Sequence, residues 1–204
     1  MTVKDQDTEQ RIKEAARKIF QEKGFAATKT RDIAEASNTN LALVNYYFRS
    51  KKQLYETIMF ETLQSFFSGV VIVLNDESTS LKEKVHGFVN TYMDTLTEHH
   101  NMAPFILNAV RNNPEEYLAK IGLLEKVKGS SFIRQFQESV QNGEIPPINP
   151  LHFMLNLIGL TVFPFLAQPM VSAATGFPKP FYYEMIQERR RLIPLWIDSM
   201  LSVS

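Results

Sequence analysis

The sequence predicts an all-α protein, and three observations carry that prediction. Apolar residues recur at intervals of three and four along most of the chain. No stretch alternates with the period of two that a half-buried strand requires. Helix-start and helix-stop residues punctuate the pattern at helical distances. With 204 residues, 44% of them hydrophobic, the chain can bury a substantial core, and no internal repeat or low-complexity segment interrupts it.

The first helix starts near Asp7 and Thr8, lines up Ile12, Ala15, Ala16, Ile19 and Phe20 on one face, and stops at Gly24. ATKTRDIAEAS forms a second helix of about two turns, with Ile33 and Ala34 inward and Lys29, Thr30, Arg31 and Asp32 at its start. Asn38 tolerates the left-handed conformation and ends that helix in a sharp turn, after which Asn40 caps a third helix from Leu41 to about Tyr47. Helices this short cannot bury themselves alone. Ile33, Ala34, Val44 and Phe48 are therefore expected to pack on Ile19 and Phe20, leaving one face of the third helix uncommitted, and this is a helix-turn-helix arrangement.

After Phe48, RSKKQLYETIMFETLQSFFSGVVIVL is one long helix with Leu54, Ile58, Leu63 and Phe66 inward. Ser80 and Glu83 make a capping box for a helix over Leu81 to about Glu98. Pro104 and Pro114 divide the next region into short pieces, and an amphipathic helix from Leu123 to Gln141 stops at Asn142-Gly143. IPPINP is a loop, and Asn149-Pro150 opens a helix whose stretch from His152 to Leu166 is apolar nearly all round, as in a helix buried on several sides. QPMVSAATGFPKP is expected to be a second loop, followed by a last helix from about Phe181 to Leu201.

Composition narrows the function. The longest apolar run, Phe153 to Leu166, is shorter than the roughly 20 residues of a membrane span, so no membrane association is expected. The opening MTVKDQDTEQR lacks the apolar segment of a targeting peptide, and the absence of cysteine suits a reducing compartment; a cytoplasmic location is the expectation. No nucleophile with a base partner, phosphate loop or metal cluster appears, so the chain reads as a non-enzyme without cofactor or metal. His99 and His100 point about 100° apart on a helix and could not easily share an ion, while His86 and His152 read as core or pocket residues. Arg189-Arg190-Arg191 reads as a solvated or dimer-rim charge run. The formal net charge is zero, but residues 1–60 hold 11 Lys/Arg against 8 Asp/Glu, a net of +3, and residues 61–204 hold 11 against 14, a net of −3.

The order GFAATKTRDIAEAS, then NTNLALVNYYFRSKKQLY, then a long helix and about 150 residues of unpatterned helical body resembles the TetR family of transcriptional regulators. The match spans roughly residues 8 to 58 and rests on Gly24-Phe25, on Thr28 to Ala34, and on Tyr47-Phe48-x-Ser50-Lys51. The resemblance implies an N-terminal three-helix helix-turn-helix DNA-binding domain over residues 1–52. It also implies a larger C-terminal helical domain, 53–204, that binds a small effector and dimerises through its last two long helices. The implied function is a homodimeric repressor on a palindromic double-stranded operator, released by an apolar or amphipathic effector.

Under that docking, Leu41, Ala42 and Leu43 offer apolar contact to thymine methyls, Asn45 suits adenine, and Arg31 can approach a guanine. Many relatives carry Lys, Gly, Thr or Pro where this chain has Leu-Ala-Leu, so hydrogen-bonded base readout should be weaker than usual. Tyr46 and Tyr47 are assigned to phosphate and sugar, Lys51 to a phosphate held jointly with the first amides of the fourth helix, and Thr28, Lys29 and Thr30 to a phosphate at the second. Asn40 completes the candidate surface. Lys29 stands where relatives carry a capping Ser or Thr, which leaves the cap of the second helix open. Phe105, Phe132, Phe136, Phe153, Met154 and Phe163 suit either an apolar effector cavity or a plain core. The unusual reading positions also motivate an alternative, a small-molecule sensor or carrier of the same fold with vestigial DNA binding.

Overall fold

The computed structural model describes residues 3–202 apart from residue 112, with backbone alone for Val3 and Lys4. In chain order the helices are α1 Val3–Ala27, α2 Thr30–Ala36, α3 Leu41–Phe48, α4 Lys51–Asn75, α5 Leu81–Glu98 and α6 Met102–Val110. They continue with α7 Pro114–Ile121, α8 Leu123–Lys128, α9 Ser131–Gln141, α10 Pro150–Thr161, α11 Phe163–Thr175 and α12 Lys179–Leu201. Among the described residues there is no strand. The protein is all-α, and it divides into two compact units: Met1–Gln64 with Pro104–Ile121, and Ser65–Ala103 with Gly122–Ser204.

In the first unit the expected three-helix core is present. Ile12, Ala16, Phe20, Ile33, Val44 and Phe48 are buried together with Leu54, Ile58 and Met59 of α4. Helix α1 begins earlier than its sequence start signal, at Val3, which brings Asp5 into its first turn. Gly24 breaks it with φ 74 and ψ 171, a combination essentially restricted to glycine, and a Cβ there would meet nothing within 4 Å. The requirement is therefore for backbone freedom, not for space. Asn38 takes the left-handed conformation (φ 51), and the side-chain oxygen of Asn40 accepts the Leu43 N–H at 2.9 Å. Half-buried Glu61 of α4 receives Lys13 and Arg17 of α1, each at 2.8 Å, which fixes the register of the two helices.

In the second unit α5 packs on α9, α10 and α12, and α10 on α11 and α12. Val89, Met93 and Leu96 of α5 and Ile186, Ile193 and Ile197 of α12 are buried, and Phe132, Phe136 and Phe153 form an aromatic cluster whose ring centroids lie 5.1 to 6.0 Å apart. The Ser80/Glu83 capping box forms as expected. Lys84 is fully buried because its ammonium is satisfied: Nζ donates to the carbonyls of Asp76 (2.6 Å) and Thr79 (2.7 Å) and to Thr79 Oγ1 (2.9 Å), locking the turn between α4 and α5.

Several expected boundaries move. The stretch from Leu123 to Gln141 breaks at Gly129-Ser130 into α8 and α9, and the Ser130 hydroxyl caps the second piece. His152 to Leu166 is not one helix, because the chain bends by 44° between α10 and α11. Pro164 starts α11 rather than interrupting it, since a first-turn residue needs no helical N–H partner, and Pro104 is tolerated likewise in α6. Most of QPMVSAATGFPKP is helical despite Pro169, so the loop shrinks to residues 176–178. Nor is α10 buried all round: Leu151, Leu155 and Ile158 are exposed, as are His152 and, on α5, His86, neither of which is a core residue. Arg189, expected in a solvated run, donates to the Leu160 carbonyl at 2.9 and 3.2 Å and satisfies an acceptor near the end of α10. Arg190 bonds Asp94 (2.5 Å), and only Arg191 of the three fits the solvated reading. By length and composition α4 could cross a bilayer, but Leu54, Ile58, Met59 and Leu63 are its core-facing side.

Candidate nucleic-acid interface

The surface of α3 follows from which of its residues the core claims. Val44 and Phe48, one turn apart, are buried, so Leu41, Ala42, Leu43, Asn45 and Tyr46 are left exposed. Tyr46 is 76% exposed, and the Asn45 side chain has no hydrogen-bond partner among the described residues. Leu41 and Leu43, each 37% exposed, make the centre of this face apolar. The same is true of the cations of α2: Arg31 and the N-cap residue Lys29 are exposed, without an ion-pair partner for either side chain among the described residues. Thr30 is half-buried beside them.

The start of α2 is held without a side-chain acceptor at the N-cap. Lys29 has none to give, and the Asp32 carboxylate instead accepts the Lys29 N–H at 3.3 Å. Thr28 departs from its expected role. It is 1% exposed, and its hydroxyl donates to the Gly24 carbonyl at 2.7 Å, where it closes the kink of α1 and cannot present itself to a phosphate.

Lys51 also turns inward. Its ammonium donates to the Phe25 and Thr28 carbonyls, both at 2.9 Å, and lies 4.3 Å from the centre of the Phe25 ring. Two of its three protons staple the α1–α2 connection to the first turn of α4, so a phosphate contact is left to the third proton and the nearby amides. Tyr47 divides its functions in the same way. It is half-buried, stands edge-on to Tyr46 with ring centroids 5.2 Å apart, and its hydroxyl donates to Asp5 Oδ1 at 3.4 Å. Burial, then the Asp5 carboxylate, push this phenol above its ordinary value of 10.0, so it remains a proton donor at neutral pH. One exposed cation was missing from the sequence-derived set: Arg49, the C-cap of α3, in a positive-φ conformation (φ 55) between Tyr46-Tyr47 and Lys51. Its place in that run is the signal that could have found it.

The second unit holds a separate candidate site, a cavity of 640 Å³ walled by the C-terminal half of α4 and by α5, α8, α9 and α10. Phe67, Val70, Leu74 and Phe88 are among its apolar walls, and Lys128, Gln137 and Asn149 are exposed at its edge. Of the body residues singled out in the sequence only Met154 lines it. Phe132, Phe136 and Phe153 are plain core, Phe105 is core of the first unit, and Phe163 is 57% exposed. Elsewhere His100 stacks on Tyr183 at 4.0 Å, away from any group of three metal-ligating side chains among the described residues.

Comparison with known proteins agrees with this arrangement. The family model described as "Bacterial regulatory proteins, tetR family" matches residues 12–58, the segment that carries α2, α3 and the Lys51 staple. The "Probable HTH-type transcriptional regulator YttP" of Bacillus subtilis (strain 168) is 26% identical over 203 residues, covering 95% of this chain and 93% of that protein. The same fold is seen in a tetR-family bacterial regulatory protein from Rhodococcus RHA1, with a TM-score of 0.65 at 19% identity over 97% of this chain and 98% of that one. It is seen again in AibR, crystallised in complex with isovaleryl coenzyme A and operator DNA, with a TM-score of 0.62 at 21% identity over 78% and 85% of the two chains. Taken with the scaffolded, outward-facing α3, these matches identify residues 12–58 as a helix-turn-helix DNA-binding domain of the tetR family, in a chain similar along its length to transcriptional regulators.

Proposed function

We propose that the protein is a dimeric, effector-released repressor in which residues 1–52 bind the operator and residues 53–204 bind the effector and dimerise. The observation that carries the DNA-binding half is the split of α3 into a buried side, Val44 and Phe48, and an exposed side with uncommitted Asn45 and Tyr46. On this reading Leu41, Ala42, Leu43, Asn45 and Arg31 face base edges, while Lys29, Thr30, Asn40, Tyr46 and Tyr47 position the head on the backbone. Two heads in a two-fold dimer would read half-sites about 34–36 Å apart.

Dimerisation is supported by apolar stripes left exposed on the second unit. Leu151, Leu155 and Ile158 follow helical spacing on α10, and Phe181, Met185, Leu195 and Trp196 do so on α12, each at least 39% exposed. The effector half is supported by the 640 Å³ cavity and by AibR, a protein of this fold that holds an acyl-coenzyme A and operator DNA together. An effector releases the operator only if it binds the non-operator geometry more tightly.

Titrating salt against a labelled random duplex tests the reading. Binding at low salt that weakens linearly in log–log form, with a slope worth several phosphates, is expected. No binding at any salt would leave the sensor with vestigial DNA binding as the better description, a reading that the apolar Leu41-Ala42-Leu43 stretch would then explain.

A further inference from the structure

The cavity of the second unit has an apolar wall, with Tyr92 the polar residue buried in it and Lys128, Gln137 and Asn149 at its edge. Tyr92 lines it, is 3% exposed, and its hydroxyl has no hydrogen-bond partner among the described residues; its ring is held by Phe66 (4.8 Å) and Phe88 (4.6 Å). The hydroxyl donor is fixed in place on the cavity wall by its neighbours. Burial pushes the phenol well above its ordinary value of 10.0, so it is a donor and never an anion at neutral pH. Lys128, in the last turn of α8, borders the cavity and is exposed, and its ammonium has no carboxylate partner among the described residues. At the ~30 Å³ that a water molecule occupies in the liquid, the volume corresponds to roughly twenty non-hydrogen atoms.

We infer that the effector is an amphipathic carboxylate with a long aliphatic body, whose acid group meets Lys128 at the rim and whose body carries an oxygen that accepts a hydrogen bond from Tyr92. The inference rests on the effector-binding half of the proposed function and names its ligand. A plain hydrocarbon tail would fill the volume but leave the Tyr92 proton unmet, and a neutral lipid would leave Lys128 unused. An oxo-substituted fatty acid satisfies both and lays its chain on the apolar wall. Extending such a chain inside the cavity should tighten binding about fourfold per methylene until the volume is full.

The test is calorimetric binding to the full-length chain of tetradecanoate, its oxo derivatives with the ketone moved along the chain, and the methyl ester of each. One ketone position should bind best. In Tyr92→Phe, which keeps the ring and its packing, the advantage of that oxo acid over tetradecanoate should fall roughly tenfold, while tetradecanoate itself binds as before. In Lys128→Met the preference for acid over methyl ester should disappear. An unchanged oxo preference in Tyr92→Phe, or no binding of any probe by a chain that still binds duplex, overturns the inference and leaves the regulator reading standing. The expected preferences in a chain that binds no duplex would support the inference and sink the regulator reading instead.

Discussion

The most discriminating perturbation of the head is Lys51→Met, because charge and position alone assign Lys51 to a phosphate whereas its contacts assign it to the fold. The substitution keeps the aliphatic stem and deletes two N–H donations to the carbonyls of Phe25 and Thr28, at 2.9 Å each, and the cation over the Phe25 ring. Hydrogen bonds involving a charged group contribute about 1.5–3 kcal/mol each and an exposed cation–π contact about 0.5–1. The carbonyl of exposed Phe25 recovers water in the variant, so the net loss is about 2 kcal/mol rather than the sum. For a chain of this length that lowers the Tm by about 4–8 °C. Duplex binding should weaken because the α1–α2 connection loosens, yet the salt slope should stay within experimental error of the parent's. A slope reduced by about 0.9, the signature of one lost phosphate, together with an unchanged Tm would refute the structural role.

Three further outcomes are expected. Arg31→Ala and Asn45→Ala should each relax preference at one base pair, at about 1–3 kcal/mol, whereas Tyr46→Phe should weaken all sequences alike; selection of bound fragments from a random pool separates the two kinds of effect. Leu155→Glu combined with Leu195→Glu places charge on both exposed stripes and should turn a dimer into a monomer in sedimentation, while helix content is unchanged. Glu83 accepts from both the N–H and the hydroxyl of Ser80, and these bonds hold its carboxyl below the ordinary 4.5. A depressed folded-state value means that the contribution of the capping box is complete above pH 4.5 and fades as the pH falls through the folded value. Ser80→Ala should move the Glu83 titration, followed by carboxyl NMR, back up toward 4.5.

Where the fold was readable from residues, the reason was local stereochemistry. Asn38 in the turn, Asn40 and Ser80 as caps, Asn149 before Pro150, and the spacing of Ile12, Ile19, Ile33 and Val44 each act within a few residues of themselves. What was not readable depended on partners distant in the chain. A lysine at the head of a helix looks the same whether its flexible stem swings out to a phosphate or back to the Phe25 carbonyl. Arg189 looks solvated until the bend after α10 leaves the Leu160 carbonyl beside it. Pro104 reads as a break, but a proline in a first turn costs a helix nothing. The cavity was hidden because wall and core share one periodicity: Phe88 and Phe132 are equally apolar and equally buried, and only the first borders a void.

The bond from Tyr47 to Asp5 has a consequence for discrimination. A phenol has one proton to give, and here a resident carboxylate already occupies the seat that a phosphate oxygen would take. A phosphate that took this proton would have to displace Asp5, at the same cost on every duplex sequence. A cost shared by right and wrong sites lowers affinity for both and leaves the ratio between them, which decides occupancy against a vast excess of competitors, to the base contacts.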